Sequence, residues 1–154
     1  MTEKIICRAP FPYGEVHACS NLICYCSDFR FRRAIEKLER VLGIHLNCDG
    51  LQIPGSIKSV NDENGEGPVS GWIEVLHKLH GAKNIFIIAH AAKCGAYAES
   101  GIRFESEEDE QSFHEGELRK ARGLIEGIIL GARVRMIYAR LSQNRRQVEF
   151  VEIA

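Results

Sequence analysis

Apolar positions along this chain alternate between two periods. Leu22 to Tyr25 is a short apolar run of strand character, and Phe31 to Leu42 then carries Ala34, Ile35, Leu38, Val41 and Leu42 at helical spacing. Gly43 closes that helix, and Ile44 to Cys48 reads as a second strand. From Asp49 to Ser70 the chain is rich in Gly, Asp, Asn and Pro and reads as a long loop. Trp72, Val75, Leu76 and Leu79 mark one face of a further helix, with Gly81 after its last turn. Ile85 to Ala89 is wholly apolar, as a strand buried on both faces would be. An acidic segment, Glu105 to Glu117, leads into the stripe Phe113, Ala121, Leu124, Ile125, Ile128 and Ile129 of a long helix. Val134 to Ala139 is the fourth strand, and Gln147 to Ile153 alternates polar and apolar residues as an exposed edge strand does.

Strands that alternate with helices predict an α/β fold: a central, mainly parallel four-stranded sheet, a fifth strand at one edge, and helices on both faces. In such folds ligands gather at the carboxyl ends of the strands. With 154 residues and 45% hydrophobic content, residues 1–154 are expected to form one domain with its own core. No apolar run approaches the roughly 20 residues that span a bilayer, so no membrane partner is expected. Met1 to Arg8 lacks the apolar core of a secretory signal, and a cytoplasmic location is expected. In a reducing compartment the six cysteines are better explained by metal ligation or burial than by disulfides. A net charge of -1 with interspersed signs offers no field for nucleic acid.

The chemistry concentrates at two strand ends. Cys26-Ser27-Asp28-Phe29-Arg30 follows the first strand, and His90-Ala91-Ala92-Lys93-Cys94-Gly95 follows Ile85 to Ala89. If those strands are parallel neighbours, Cys26, His90 and Cys94 converge, and two soft sulfurs with one imidazole favour Zn2+. Two thiolates neutralise the dication and a neutral imidazole adds no charge, so a water in the fourth position can ionise near neutrality. Asp28 stands at the start of a helix, whose positive end favours a carboxylate. Arg30 is placed to hold it by bidentate bonds. Gly95 lets the chain pass close to the site or begin a helix directly after Cys94.

The spacing C-x-D-x-R followed by H-x-x-C-G resembles the zinc motif of the β-class carbonic anhydrases. The likeness extends over roughly residues 20–139 as an order of strands and helices and is concentrated in the two motifs. It implies that Cys26, His90 and Cys94 are zinc ligands and that Asp28 and Arg30 form the dyad beside the metal. Carbon dioxide would then be converted reversibly to bicarbonate by zinc hydroxide. Arg30 would act as a gate that keeps Asp28 off the metal. The resemblance also implies a homodimer or higher homo-oligomer, with a small-molecule substrate as the other partner.

Three departures keep alternatives open. Where these enzymes typically carry an Arg-Asn-Ala-Gly-Asn type segment, this chain has Asn47-Cys48-Asp49-Gly50-Leu51-Gln52. Cys48 as a fourth thiolate would close the shell as a structural Cys3His site. Lys93 would bring a positive charge to the metal unless it turns to solvent. A non-catalytic zinc-binding or regulatory protein therefore stands beside the enzyme, as does a hydrolase of carbonyl sulfide or carbon disulfide. A redox pair of Cys24 and Cys26 is a more distant reading. Cys7, Cys19 and Cys24 are expected to pack or remain free, and His17, His45, His77, His80 and His114 to lie on the surface or to be satisfied in the core.

Overall fold

The computed structural model describes residues 4–11 and 14–154. The first three residues of the segment Met1 to Arg8 lie outside that range. The strands are β1 (Asn21–Cys26), β2 (Asp49–Ile53), β3 (Asn84–His90), β4 (Arg133–Leu141) and β5 (Val148–Ile153). The helices are α1 (Arg32–Val41), α2 (Lys58–Asp62), α3 (Pro68–His80), α4 (Gly95–Glu99) and α5 (Glu107–Ile128), and a short 3-10 turn over Phe29–Phe31 precedes α1. One five-stranded sheet in the order β2-β1-β3-β4-β5 organises them. The first four strands run parallel and β5 returns antiparallel along β4. This is the α/β fold that the alternating pattern predicts.

Strand alternation divides the core between the two faces of the sheet. Leu22, Cys24, Ile85, Ile87, Val134, Met136 and Tyr138 pack with Ile57, Val60, Ile73, Leu118, Ala121 and Ile125 on one side. Ile23, Phe86, Ile88, Ile137 and Ala139 meet Phe31, Ile35, Leu38 and Ile44 on the other. Helices therefore cover both faces, and Ile85 to Ala89 in the central strand β3 is wholly apolar and buried because neither side meets water. Among the described residues no helix is long and apolar enough to cross a membrane.

Two details correct the sequence reading. The second strand is Asp49–Ile53, not Ile44 to Cys48. Ile44 is a buried plug at the end of α1, its N–H bonded to the Glu39 carbonyl, and Leu46 adopts a positive φ of 62° that no strand accommodates. As an edge strand, β2 needs few inward apolar residues, and Leu51 and Ile53 supply them. The segment Asp49 to Ser70 is accordingly ordered, carrying β2, α2 and the start of α3. The α3 helix forms as expected but buries Val69, Ser70 and Ile73, while Trp72 is 49% and Leu79 66% exposed. Apolar residues occupy two faces of that helix, and periodicity alone does not choose between them.

Candidate metal centre

β1 and β3 are hydrogen-bonded parallel neighbours in the register Cys24↔Ile87, which brings their carboxyl ends side by side. Cys26 ends β1, His90 ends β3, and Cys94 caps α4, which begins at Gly95 as the sequence allows. The donor atoms of these three buried residues all lie within 4.8 Å of one another. The sulfurs of Cys26 and Cys94 are 3.7 Å apart. A tetrahedral ion with sulfurs at about 2.3 Å holds them roughly 3.8 Å apart, whereas a disulfide needs about 2.05 Å. The spacing is thus that of two sulfurs on one metal ion and not that of a disulfide.

The imidazole is oriented to match. His90 Nδ1 donates to the Ala91 carbonyl at 2.6 Å, and the ring lies against Phe31 with centroids 4.4 Å apart. That bond places a proton on Nδ1 and leaves Nε2 buried beside the sulfurs, with no nitrogen or oxygen partner among the described residues. A buried imidazole nitrogen beside two sulfurs is a ligand in waiting. Burial alone would lower the His90 pKa, but the adjacent Cys26 sulfur and the Ala91 carbonyl outweigh it and raise the value. Cys26 is held well below the usual thiol range, first by the Cys94 thiol and then by His90 and the Asp28 and Gly55 amides; Cys94 is raised in return. Cys26 is therefore the sulfur that ionises first, and a thiolate there suits a cation.

Gly55 has a specific part in this. Its N–H reaches Cys26 Sγ at 3.3 Å, from a backbone with φ of 74° where a Cβ would stand 3.0 Å from the Cβ atoms of Ala96 and Lys58. Only glycine combines that conformation with that approach.

Asp28 and Arg30 stand at the rim. Asp28 caps the 3-10 turn by accepting from Arg30 N at 3.0 Å, and Arg30 Nε and Nη2 bond both carboxylate oxygens. The Arg30 bonds hold the Asp28 carboxyl below its ordinary pKa. Arg30 Nη2 also donates to the Ala92 carbonyl at 3.1 Å.

The other candidates fall elsewhere. Cys48 precedes β2 at the opposite end of the sheet, since Leu22 pairs with Asp49 while Cys26 pairs with Ile53. Four strand residues place it roughly 13 Å or more from Cys26, so it cannot close the shell. Burial instead pushes its thiol up to about 12. Cys24 is also raised by burial to about 12 and is bonded by Ser56 Oγ, a protonated core thiol and not half of a redox pair. Lys93 is exposed and turns to solvent. His45, His77 and His80 have partners in Glu39, the Ala82 carbonyl and Asp49. His114 does not: it is fully buried among Tyr97, Phe104, Phe113 and Tyr138, and among the described residues neither ring nitrogen has a hydrogen-bond partner.

No protein-family model matches this chain. It is 33% identical over 116 residues to an uncharacterized protein of Rickettsia conorii, covering 71% of this chain and 61% of that protein. It is 32% identical over 115 residues to an uncharacterized protein of Rickettsia bellii, covering 71% of this chain and 70% of that one. The chain belongs to the family of these rickettsial proteins. Its fold is similar to that of a carbonic anhydrase from Glaciozyma antarctica, with a TM-score of 0.56 at 12% identity over 94% of this chain and 89% of that chain. At that identity the likeness is one of architecture, and the family member has a carbonic anhydrase-like fold around a Cys26-His90-Cys94 group that can hold a metal ion.

Proposed function

We propose that this protein is a zinc-dependent carbonic anhydrase that hydrates carbon dioxide reversibly to bicarbonate. The observation that carries the reading is the buried His90 Nε2, facing sulfurs 3.7 Å apart, on a carbonic anhydrase-like fold. Cys26 and Cys94 would hold the ion as thiolates and His90 through Nε2. Zinc in such a site lowers the pKa of a bound water toward neutrality and supplies the nucleophile. Asp28, ionised and aimed by Arg30, accepts a hydrogen bond from the attacking group and orients its lone pair. Arg30, by occupying both Asp28 oxygens, would keep that carboxylate from becoming a ligand itself.

A cleft of about 190 Å³ opens onto Cys94, lined by Lys93, Ala98, Ile102, Arg103 and Phe104. Ala98, Ile102 and Phe104 give it an apolar wall that suits a small neutral molecule. Carbonyl sulfide and carbon disulfide share that character and are the second reading. A homodimer or higher homo-oligomer belongs to the same proposal, as the motif resemblance implies, and sedimentation would test it.

The decisive experiment is metal analysis followed by stopped-flow carbon dioxide hydration between about pH 6.5 and 9, with Cys26→Ser as control. A rate that rises with pH and vanishes in the variant is expected. Zinc-loaded protein with no rate above buffer would sink the carbonic anhydrase reading and turn attention to the sulfur-containing substrates or a non-catalytic role.

A further inference from the structure

The peptide group that joins Ala92 to Lys93 is gripped at both ends. Its carbonyl accepts from Arg30 Nη2 at 3.1 Å, and its N–H donates to Oε1 of Glu110 at 2.7 Å. Both flanking residues are in the left-handed region, Ala92 at φ 67° and Lys93 at φ 56°. Side-chain-bearing residues adopt that conformation at a cost, and two in succession need surroundings that enforce it.

Glu110 differs from the acids around it. Glu105, Glu107, Glu108 and Asp109 are exposed, whereas Glu110 is 4% exposed. It takes part in no ion pair among the described residues. Its place in the first turn of α5 offsets part of the cost of burying a charge. Arg30, at the other end, is half-exposed, and among the described residues its guanidinium bonds beyond Asp28 only to the Ala92 carbonyl. Without that anchor the Asp28–Arg30 pair is tethered only to itself. An anionic acceptor on the N–H and a cationic donor on the C=O polarise the peptide in the same direction, so each bond strengthens the other.

We propose that Glu110 is a positioning residue of the metal centre: through the Ala92–Lys93 peptide it anchors Arg30, and thereby holds Asp28 away from the fourth metal position. This rests on the reading of the site given under Proposed function. Glu110 touches neither substrate nor metal.

The test compares wild type with Glu110→Ala and Glu110→Gln by two independent readouts. In NMR of the protein without added metal, solvent exchange of the Arg30 Nε–H is expected to quicken about tenfold in Glu110→Ala and about threefold in Glu110→Gln, whose amide oxygen still accepts a neutral bond. In cobalt-loaded protein, thiocyanate should bind several-fold more weakly in Glu110→Ala because Asp28 competes for the ion, with partial rescue in Glu110→Gln. If Glu110→Ala fails to fold, Glu110→Gln carries the test. Unchanged Arg30 exchange in the folded variants overturns the proposal, as does unchanged thiocyanate affinity. Absence of cobalt–thiolate bands in wild type would count against the metal reading alone, and the exchange rates would still decide whether Glu110 anchors the dyad.

Discussion

Cys26 and Cys94 face each other across 3.7 Å from elements far apart in the chain, one at the end of a strand and the other at the cap of a helix. Such a pair binds a cation by moving almost nothing, because the sulfur spacing already matches the bonded geometry. The energetic consequence is direct linkage between metal and folding. At free zinc a hundredfold above its dissociation constant, the stabilisation is about 2.7 kcal/mol, or about 5–10 °C in a domain of this size. Chelation should lower the unfolding temperature of wild type by that amount and leave Cys26→Ser and Cys94→Ser unmoved, which differential scanning fluorimetry would read.

Asp28 and Arg30 should separate activity from stability. The pair lies at the rim, with the arginine side chain 49% exposed, and exposed ion pairs contribute less than about 1 kcal/mol. Replacing Asp28 by Asn removes the negative acceptor and should lower the turnover number about a hundredfold while leaving the urea midpoint nearly unchanged. A large loss of stability in that variant would mean that the dyad is structural.

Gly55 should tolerate no side chain. An alanine there meets both a φ of 74° and Cβ atoms at 3.0 Å, and the Gly55 N–H is one of the groups that favour the Cys26 thiolate. Gly55→Ala is expected to cost about 1–3 kcal/mol. It should also shift the pH profile of Cys26 alkylation in metal-free protein to higher pH. Mass spectrometry of alkylated protein across a pH series checks this.

How much of this was legible in the sequence differs from residue to residue. Cys26 and His90 end apolar runs that read as strands and Cys94 lies four residues beyond, so their meeting at one sheet end follows once those strands are parallel neighbours. Gly55 could not, because β2 is an edge strand with two inward residues, and the louder apolar run from Ile44 disguised where it began. Glu110 belongs to an acidic run that reads as a solvated face, and only the docking of α5 selects which carboxylate turns inward. His114 likewise gives no local sign that its imidazole will be sealed among aromatic rings.

That sealed imidazole gives the protein an acid weakness. Burial holds the His114 pKa at about 4, against about 6.5 in the unfolded chain. Between those values the unfolded state binds more protons, so stability falls as pH drops from about 6.5 toward 4. The loss attributable to His114 should reach about 2 kcal/mol by pH 5. His114→Phe, which exchanges an unpartnered polar ring for an apolar one of similar shape, should be neutral or stabilising at pH 7 and should lose less on acidification. Paired urea titrations at pH 7 and 5 would measure the difference.

The spacing of Cys26 and His90 along the chain carries a consequence for how the protein is assembled. An ion bound to both closes a loop of roughly 64 residues, and by the polymer argument used for disulfides such a cross-link removes about 4 kcal/mol of unfolded-chain entropy when it persists in the unfolded state. The loop contains α1, β2, α2 and α3, everything that must wind over the sheet before β3 can lie beside β1. An ion captured early would therefore act as a reversible staple that pins the two ends of a crossover together while the intervening helices find their places.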